Sequence, residues 1–405
     1  MSAQKSGFTR REVLTFATIT GLLALIPVST DLYLPAITAM SGELGATVSE
    51  GQLTLSIFMI GVAIGQLFFG PLSDSFGRLP VVRVGCFAFI AFSFLNSLAW
   101  SIESMWVGRI FQGAAAASGA VIARAMIRDI YEGDRAAQIM ALTSASMASV
   151  PLFAPTLGAL ITVELGWRFT FIAQAIFATA VLLGLASFQE TVKKAEGAPQ
   201  QRLKLSDVFS SFKECLSNPL FIGYQLSGTF SFCGVFVYIS TVAFFLRDVF
   251  NVSTEFFGVV FAMTAAGFIV GSLSSSRLVL KWGADRTLRR GAFICAFSTT
   301  AALATMINPE GTKVFLALIS TLFFFGVGLI APNASMGAVS LYPHKAGAAS
   351  AVYGSVHSVA SATVGAIAGA TYSGRMLEPI LIMFICSFGA LIGIAVTHHH
   401  RTKLV

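Results

Sequence analysis

Gly70-Pro-Leu-Ser-Asp-Ser-Phe-Gly-Arg78 is a short polar stretch between two long apolar runs, residues 53–69 and 81–98. At a rise of 1.5 Å per residue, each run is about long enough to cross the hydrocarbon core of a bilayer as a helix. The glycines allow the helix ends to approach closely, while Asp74 and Arg78 place charges on the water side of the junction. The stretch therefore predicts a tight, charged connection between two membrane-spanning helices.

The composition of the whole chain is that of a membrane protein. Of its 405 residues, 55% are hydrophobic and only 11% are charged, whereas soluble domains carry about 25% charged residues. We expect an all-α membrane protein with two six-helix halves, residues 1–188 and 219–405, joined by a central cytoplasmic loop, residues 189–218. The apolar runs predict twelve spans, near residues 13–37, 53–72, 80–99, 105–127, 137–162, 167–188, 219–246, 255–279, 290–307, 313–341, 346–372 and 379–397.

The distribution of Lys and Arg predicts the orientation of the chain. With the N-terminus inside, 21 of the 26 basic residues fall in cytoplasmic segments, four fall in outer loops, and Arg109 lies within a span. Because basic residues favour the cytoplasmic side, we expect both termini in the cytoplasm. The net charge of +7 is spread over short loops and forms no basic patch, so we expect no nucleic-acid partner.

Part of the central loop has the pattern of a one-sided helix. The apolar residues Leu205, Val208, Phe209, Phe212 and Leu216 alternate with polar ones at helical spacing. This segment is expected either to lie at the inner membrane surface or to be a solvated linker that is helical only transiently.

The residues that commonly hold metals or catalyse reactions show no arrangement for either purpose. The five cysteines have no paired spacing, and His398-His399-His400 is better explained as the polar end of the last helix than as a weak metal site. The sequence contains no recognisable Ser/His/Asp set, catalytic carboxylate pair or phosphate loop. We therefore predict no enzymatic activity, no metal and no cofactor.

Two ionisable residues inside predicted spans are the leading functional candidates, because charges within a bilayer are costly. Asp31 lies in the first span and Arg109 in the fourth. Since these spans run in opposite directions, both residues lie about five or six positions from the outer edge. A carboxylate that faces water can load and release a proton, and a nearby arginine favours its ionised form. The alternatives are a fixed ion pair between the two helices and an Asp31 that simply lies in the interface, exposed to water.

Several motifs resemble those of the major facilitator superfamily of transporters. The opening stretch matches the superfamily pattern G-x-L-x-D-x-x-G-R, and Arg109-Ile-Phe-Gln-Gly113 resembles its fourth-helix motif R-x-x-Q-G. Residues 154–159, Ala-Pro-Thr-Leu-Gly-Ala, partly resemble the fifth-helix motif of its drug antiporters, with Pro155 and Gly158 in place. The resemblance implies proton coupling through Arg109, and a bend with close helix packing at Pro155 and Gly158.

A smaller group within that superfamily is also similar to this chain. Thr30-Asp-Leu-Tyr-Leu-Pro35, Gly65-Gln-Leu67 and Arg128-Asp-Ile-Tyr131 together resemble the proton-driven bicyclomycin and chloramphenicol resistance exporters, and Ala331-Pro-Asn333 also fits. The resemblance covers the first half of the chain better than the second. It implies a protein of the bacterial inner membrane that exports small drug-like molecules, phenicol or bicyclomycin-type antibiotics among them, with protons and lipid as its other partners. We also expect the protein to be a monomer.

Besides the bend expected at Pro155 and Gly158, these features give three groups of candidate residues. Asp31 and Arg109 are expected to couple protons. A charge cluster that locks the outward-facing state is expected at the cytoplasmic face, from Gly70, Asp74, Gly77, Arg78 and Asp129. A central cavity is expected from aromatic and polar residues, which suit amphiphilic solutes: Tyr33, Phe58, Gln66, Gln112, Phe236, Tyr238, Asn333, Tyr353 and His357.

Other functions and roles stay open at this point. A transporter of the same fold would carry a physiological metabolite, such as a sugar, amino acid or organic acid derivative. An anionic metabolite calls for more buried basic residues than Arg109. A membrane sensor or scaffold would tolerate the loss of Asp31 and Arg109, whereas a transporter would not. His357 either titrates near neutral pH or bonds, as a neutral ring, to a helix carbonyl or a neighbouring serine.

Overall fold

The computed structural model describes residues 10–131, 150–191, 205–248, 254–305, 313–342 and 346–402, together with positions 139, 143, 146 and 147. Within these ranges the chain is helical and contains no strand, which confirms the all-α class. The helices, in chain order, are α1 Arg10–Asp31, α2 Ile37–Glu43, α3 Val48–Phe76, α4 Arg78–Ser97, α5 Ile102–Ile130, α6 Val150–Glu164, α7 Arg168–Gly184, α8 Leu205–Leu216, α9 Pro219–Asp248, α10 Thr254–Trp282, α11 Ala284–Ala304, α12 Lys313–Ser340, α13 Ala346–Thr371 and α14 Leu377–Thr402.

The number of helices that can span a membrane is ten in the described part of the chain, so the protein is a multi-pass membrane protein. Each of the twelve predicted spans coincides with a described helix, but two of these helices are not among the ten that are long and apolar enough to cross a membrane. Helix α6 is described only from Val150, although its predicted span begins at residue 137. Helix α11 begins with three arginines in its first seven residues, which lower its hydropathy. The count of twelve spans therefore stays a prediction.

The helices form two bundles, with α1–α7 in the first and α9–α14 in the second. In the first bundle α5 packs against α1, α3 and α4, and α7 packs against α1 and α4. In the second bundle α12 packs against α9, α10 and α11, and α14 packs against α9 and α11. The main contacts between the bundles run along α3 with α13 and along α6 with α10. Two helix pairs therefore carry most of the contact between the bundles.

Glycines set the short distance between α3 and α5. Gly61 of α3 lies against the backbone carbonyl of Ile110, and Gly113 of α5 lies against that of Phe58. A Cβ at either position would overlap the facing backbone. Small residues at such contacts allow two helix backbones to approach closely in a membrane. The contact fixes the part of α5 that carries Arg109 and Gln112 against α3.

The predicted first span, residues 13–37, is not one continuous helix. Helix α1 ends at Asp31, and a 3-10 turn follows over Leu34–Ala36. Pro35 has no N–H to donate to the carbonyl four residues earlier, which is that of Asp31. The helix therefore ends at the residue that carries the predicted proton site.

The one-sided helix predicted in the central loop is confirmed as α8. It packs against α9 and α13 of the second bundle, and the hydroxyl of Tyr342 donates to the carbonyl oxygen of Glu214 at 3.2 Å. Cys215 of α8 is buried by this packing. The segment is thus attached to the second bundle and is not a solvated linker.

Candidate functional site

The side chain of Arg109 lies in the middle of the first bundle, inside an aromatic cage. Its exposed fraction is 0%, and its guanidinium carbon lies 4.3 Å from the ring centre of Phe58, 4.8 Å from that of Tyr33 and 5.8 Å from that of Phe171. The electron-rich faces of aromatic rings attract a cation, and the effect grows when water is excluded. We call Tyr33, Phe58 and Phe171 the aromatic cage.

The hydrogen bonds of Arg109 go to neutral groups. Its Nη1 donates to Oε1 of Gln112 at 2.7 Å, and both Nη atoms lie 3.4 Å from the carbonyl oxygen of Ser29. Among the described residues, no carboxylate lies within the 4.0 Å of an ion pair with Arg109. The ion pair with Asp31, one of the alternatives from the sequence, is therefore not formed. The charge of Arg109 is held by rings, an amide and a backbone carbonyl.

Gln112 connects Arg109 to two further helices. Its Oε1 also accepts from Asn96 Nδ2 at 3.0 Å, and its Nε2 donates to Ser93 Oγ and to Gln174 Oε1, each at 2.8 Å. All four hydrogen-bonding positions of this amide are thus used. The network joins α1, α4, α5 and α7. Gln112 was predicted to line a cavity, but its exposed fraction is 0%, so it is enclosed in this structure.

Tyr33 ties the end of α1 to α3. Its hydroxyl lies 3.0 Å from Oγ1 of Thr54, which itself donates to the carbonyl oxygen of Gly51 at 2.6 Å. Since a threonine hydroxyl has a single hydrogen, Tyr33 is the donor in this pair. The ring of Tyr33 also lies 5.0 Å from that of Phe171. The cage residue is therefore fixed at both its ring and its hydroxyl.

Asp31 lies at the same level of the bundle as Arg109, but the two side chains form no ion pair. Ser29 and Tyr33, two residues before and after it, both contact Arg109. The exposed fraction of Asp31 is 3%, and its Oδ1 accepts a hydrogen bond from the hydroxyl of Thr30 at 2.9 Å. Within the described residues, no cation lies close enough to pair with it.

The predicted bend motif of α6 packs beside this point. Pro155 lies inside α6 and is buried, and Gly158 lies against the backbone carbonyl of Leu32, the residue after Asp31. A Cβ at Gly158 would overlap that backbone. The end of α1 is therefore in close contact with α6, which is one of the two helices that meet the other bundle.

The nine residues predicted to line a cavity fall into separate groups. Tyr33, Phe58 and Gln112 surround Arg109. Asn333 lies between α12 and α10, where its Nδ2 donates to Ser275 Oγ at 2.8 Å and to the carbonyl oxygen of Leu329 at 2.7 Å. The remaining members lie at contacts of α3, α9, α12 and α13 with neighbouring helices: Gln66, Phe236, Tyr238, Tyr353 and His357.

His357 lies among aromatic rings of the second bundle. Its ring centre lies 4.3 Å from that of Phe232 on α9 and 5.8 Å from that of Tyr353 on α13. Its Nδ1 is buried and has no hydrogen-bond partner among the described residues. Ser361 does bond to this residue, but through the backbone carbonyl and not the ring. The bond from the neutral ring to a carbonyl or serine, considered from the sequence, is not present at Nδ1.

The predicted cytoplasmic cluster joins helices of one bundle. Arg78 donates through Nε to Asp129 Oδ2 at 3.0 Å and through Nη1 to Ser73 Oγ at 2.7 Å, and Thr191 donates to the same Asp129 oxygen at 3.3 Å. These contacts connect α3, α4, α5 and the segment after α7, all in the first bundle. Gly70 of α3 has ordinary contact with α5, and the side chain of Asp74 lies outside the described residues. We call this end of the molecule, where Arg78 and Asp129 lie, the basic end.

Glu190 completes the cluster and could not be recognised in the sequence. Its carboxylate accepts the backbone N–H of Arg78 at 2.9 Å and that of Leu79 at 3.1 Å, so it caps the N-terminus of α4. The free N–H groups and the helix dipole favour an anion there. Gly77, which precedes α4, has φ +102°, and a Cβ on it would lie 2.7 Å from Glu190 Oε2. The separation of over a hundred residues explains why no local pattern indicates this cap.

Removing the Glu190 cap should destabilise the protein measurably. We expect Glu190→Ala to lower the free energy of unfolding by about 1 kcal/mol, because two N–H groups of α4 lose their acceptor. All five cysteines are buried, so a thiol-reactive fluorescent dye added during heating in detergent reports unfolding. The exposed neighbour Gln189→Ala is the control and should melt like the wild type. Equal melting of Glu190→Ala and the wild type would contradict the capping role.

The second bundle has a related cluster at the same end. Gly283, with φ +81°, precedes α11, as Gly77 precedes α4. Asp285 in the first turn of α11 accepts a hydrogen bond from the hydroxyl of Tyr224 at 2.7 Å and forms an ion pair with Arg401 near the end of α14. In each bundle, therefore, the chain at or beyond the last helix returns to the start of the third long helix, which is α4 in the first bundle and α11 in the second.

Comparisons with known proteins agree with this arrangement. The family model of the Major Facilitator Superfamily matches residues 19–366. The chain is 28% identical to the bicyclomycin resistance protein homolog of Haemophilus influenzae, over 99% of this chain and 97% of that one. It is 28% identical to the chloramphenicol resistance protein of Pseudomonas aeruginosa, over 90% and 86% of the two chains. Among solved structures, a D-xylose-proton symporter is similar in fold, with a TM-score of 0.72 over 95% of this chain and 96% of that one, at 17% identity.

Proposed function

Because the chain belongs to the major facilitator superfamily, we propose that it exports small drug-like molecules across the bacterial inner membrane in exchange for protons. The relatives named for bicyclomycin and chloramphenicol resistance support this class of cargo. Their identity of 28% over nearly the whole chain supports a shared type of transport. Phenicol or bicyclomycin-type antibiotics are the cargo to test first.

The observation that carries the proton coupling is the state of Asp31. Its carboxyl group is buried and receives one described hydrogen bond, from Thr30, with no cation in pairing distance among the described residues. An ionised carboxylate is costly to bury without a cation. Asp31 is therefore suited to take up a proton when it is closed off from water and to release that proton when water reaches it. Proton entry from the outside and release inside would drive cargo outward.

The role we propose for Arg109 is to hold the end of α1 in position. Arg109 contacts the carbonyl oxygen of Ser29 and the ring of Tyr33, which lie two residues before and two residues after Asp31. Any shift of α1 on protonation would move the carbonyl and the ring that enclose the guanidinium. Protonation of Asp31 therefore affects Arg109 through the backbone of α1 and not through a direct ion pair.

Alternating access supplies the transport step. Two helix bundles that rock about their contacts open a central site to each side in turn. We propose that the basic end is cytoplasmic, with both termini on that side, and that the Arg78–Asp129 cluster contributes to the gate there. The alternative cargo is a physiological metabolite. An anionic metabolite is disfavoured, because Arg109 is enclosed by the aromatic cage.

Expression in a strain that lacks its own exporters tests the proposal. We expect growth-inhibition curves for chloramphenicol or bicyclomycin to shift to higher drug concentrations, and the shift to vanish when an ionophore collapses the proton gradient. Asp31→Asn at equal expression is the inactive control. Unchanged curves across the whole drug panel, together with uptake of a metabolite, would favour the alternative.

A further inference from the structure

The main contact between the two bundles is a regular antiparallel pairing of α3 with α13, which we call the seam. Gln52 lies against Gly369, Ser56 against Gly365, and Gln66 against Gly354. The sum of the two residue numbers is nearly constant along the seam, as expected for two antiparallel helices in one register. Ser355 Oγ also lies 3.5 Å from the carbonyl oxygen of Ala63, which lies between these pairs.

Gln52 and Gln66 of α3 each face a glycine of α13, and Ser56 shares the space at a third glycine, Gly365, with the ring of Phe236. A Cβ on Gly369 would lie 2.5 Å from Gln52 Oε1, and a Cβ on Gly365 would lie 3.1 Å from Ser56 Oγ. A Cβ on Gly354 would overlap Gln66 Oε1. The α13 side of the seam therefore leaves room for the polar groups of α3 but offers them no side chain to bond.

The polar atoms at the seam are accordingly unsatisfied. Both amide atoms of Gln52, the hydroxyl of Ser56 and Oε1 of Gln66 are buried with no hydrogen-bond partner among the described residues. The exposed fractions are 1% for Gln52 and Ser56 and 8% for Gln66. A buried polar group without a partner costs free energy, and most such groups in proteins do have one. Leucine or alanine at these positions would close the seam at lower cost.

These groups gain partners when the bundles separate at the seam. We propose that Gln52, Ser56 and Gln66 form a hydrogen-bonding strip that contacts the cargo and selects uncharged molecules with hydroxyl or amide groups. The inference rests on the proposed export function and assigns the residues that choose its cargo. Two amides and a hydroxyl offer donors and acceptors but no charge. They favour a neutral polar molecule over an apolar cation, which makes no hydrogen bonds.

The test compares two probes on purified full-length protein in lipid nanodiscs. Chloramphenicol is uncharged and carries an amide and two hydroxyl groups, whereas tetraphenylphosphonium is a cation without hydrogen-bonding groups. Equilibrium binding of each is measured for the wild type, Gln52→Leu, Ser56→Ala, Gln66→Leu and the triple variant. Ser298→Ala is the matched control, because its buried hydroxyl bonds only within its own helix.

We expect each single variant to bind chloramphenicol about two- to tenfold more weakly, the effect of one hydrogen bond, and the triple variant to lose more. Binding of tetraphenylphosphonium should stay equal or improve, and Ser298→Ala should bind both probes like the wild type. Unchanged chloramphenicol binding by the triple variant would overturn the strip. An equal loss of both probes would also overturn it, since that result indicates damage to the fold.

A second measurement does not depend on either probe. Gln52→Cys and Gln66→Cys, each in a background without the five native cysteines, are treated with a water-soluble, charged thiol reagent in membranes. We expect both to react, because the strip must reach water to meet a cargo, while Ser298→Cys stays unreactive. Unreactive seam cysteines would overturn the inference. Reactive seam cysteines in a protein that binds neither probe would contradict the proposed drug export and leave the strip supported for another uncharged cargo.

Discussion

Arg109→Ala should abolish drug transport in reconstituted vesicles, and Arg109→Lys should restore only part of it. Alanine removes the donor of the Ser29 carbonyl and one of the two donors of Gln112 Oε1, and it empties the space between the cage rings. A lysine keeps the charge but not the planar fork, which at present reaches the amide and the carbonyl together. A lysine ammonium in the cage therefore keeps the contact with the aromatic rings but loses part of the hydrogen bonding that holds α1.

The measurement is uptake of labelled chloramphenicol into inside-out proteoliposomes under an imposed proton gradient. Arg375→Ala removes an exposed arginine and is the control, with transport equal to the wild type. Thermal unfolding of the same samples separates loss of function from loss of fold. Transport by Arg109→Ala at the wild-type rate would reduce Arg109 to a packing residue and contradict its coupling role.

Asp31→Asn should abolish proton release on drug binding while the protein stays folded in the membrane. An asparagine has nearly the same shape, and its carbonyl oxygen can still accept the hydrogen bond from Thr30. An amide gains or loses no proton in the physiological pH range, so cargo movement is no longer linked to the proton gradient. Chloramphenicol should still bind, since the residues of the seam are unchanged.

Proton release is measured with a pH-sensitive dye in weakly buffered detergent solution on addition of drug. Glu164→Gln, an exposed carboxylate at the end of α6, is the control and should release protons like the wild type. If Asp31→Asn also releases protons normally, Asp31 is not the coupling site. Loss of release together with loss of folding would indicate a structural role instead.

The helices of this fold can be predicted from the sequence, because apolar runs of spanning length have few other uses. The level of Asp31 and Arg109 also follows from residue counts. Their faces do not follow, since the sequence does not show which side of α1 meets α5. The structure places the carbonyl of Ser29 and the ring of Tyr33 against Arg109, and it shows no ion pair between Arg109 and Asp31. Depth alone left an ion pair open as one of the alternatives.

Contacts between distant segments were the least predictable part of the site. Ser93, Asn96 and Gln174 can be noticed in the sequence because they are polar residues inside apolar runs. Their common partner, Gln112, follows only from the packing of three helices. The residue types alone also do not show whether aromatic side chains enclose an arginine or line a cavity for cargo. Tyr33 and Phe58 were expected to face cargo because they are aromatic, but the structure shows them enclosing a cation.

The two clusters at the basic end respond differently to ionic strength. In the first bundle, the Glu190 carboxylate binds backbone N–H groups directly, so dissolved ions compete with it weakly. In the second bundle, the ion pair of Asp285 with Arg401 is partly exposed, and salt screens such pairs over roughly 8 Å at physiological strength. A change of salt concentration during purification should therefore weaken the link between α11 and α14 more than the Glu190 cap of α4.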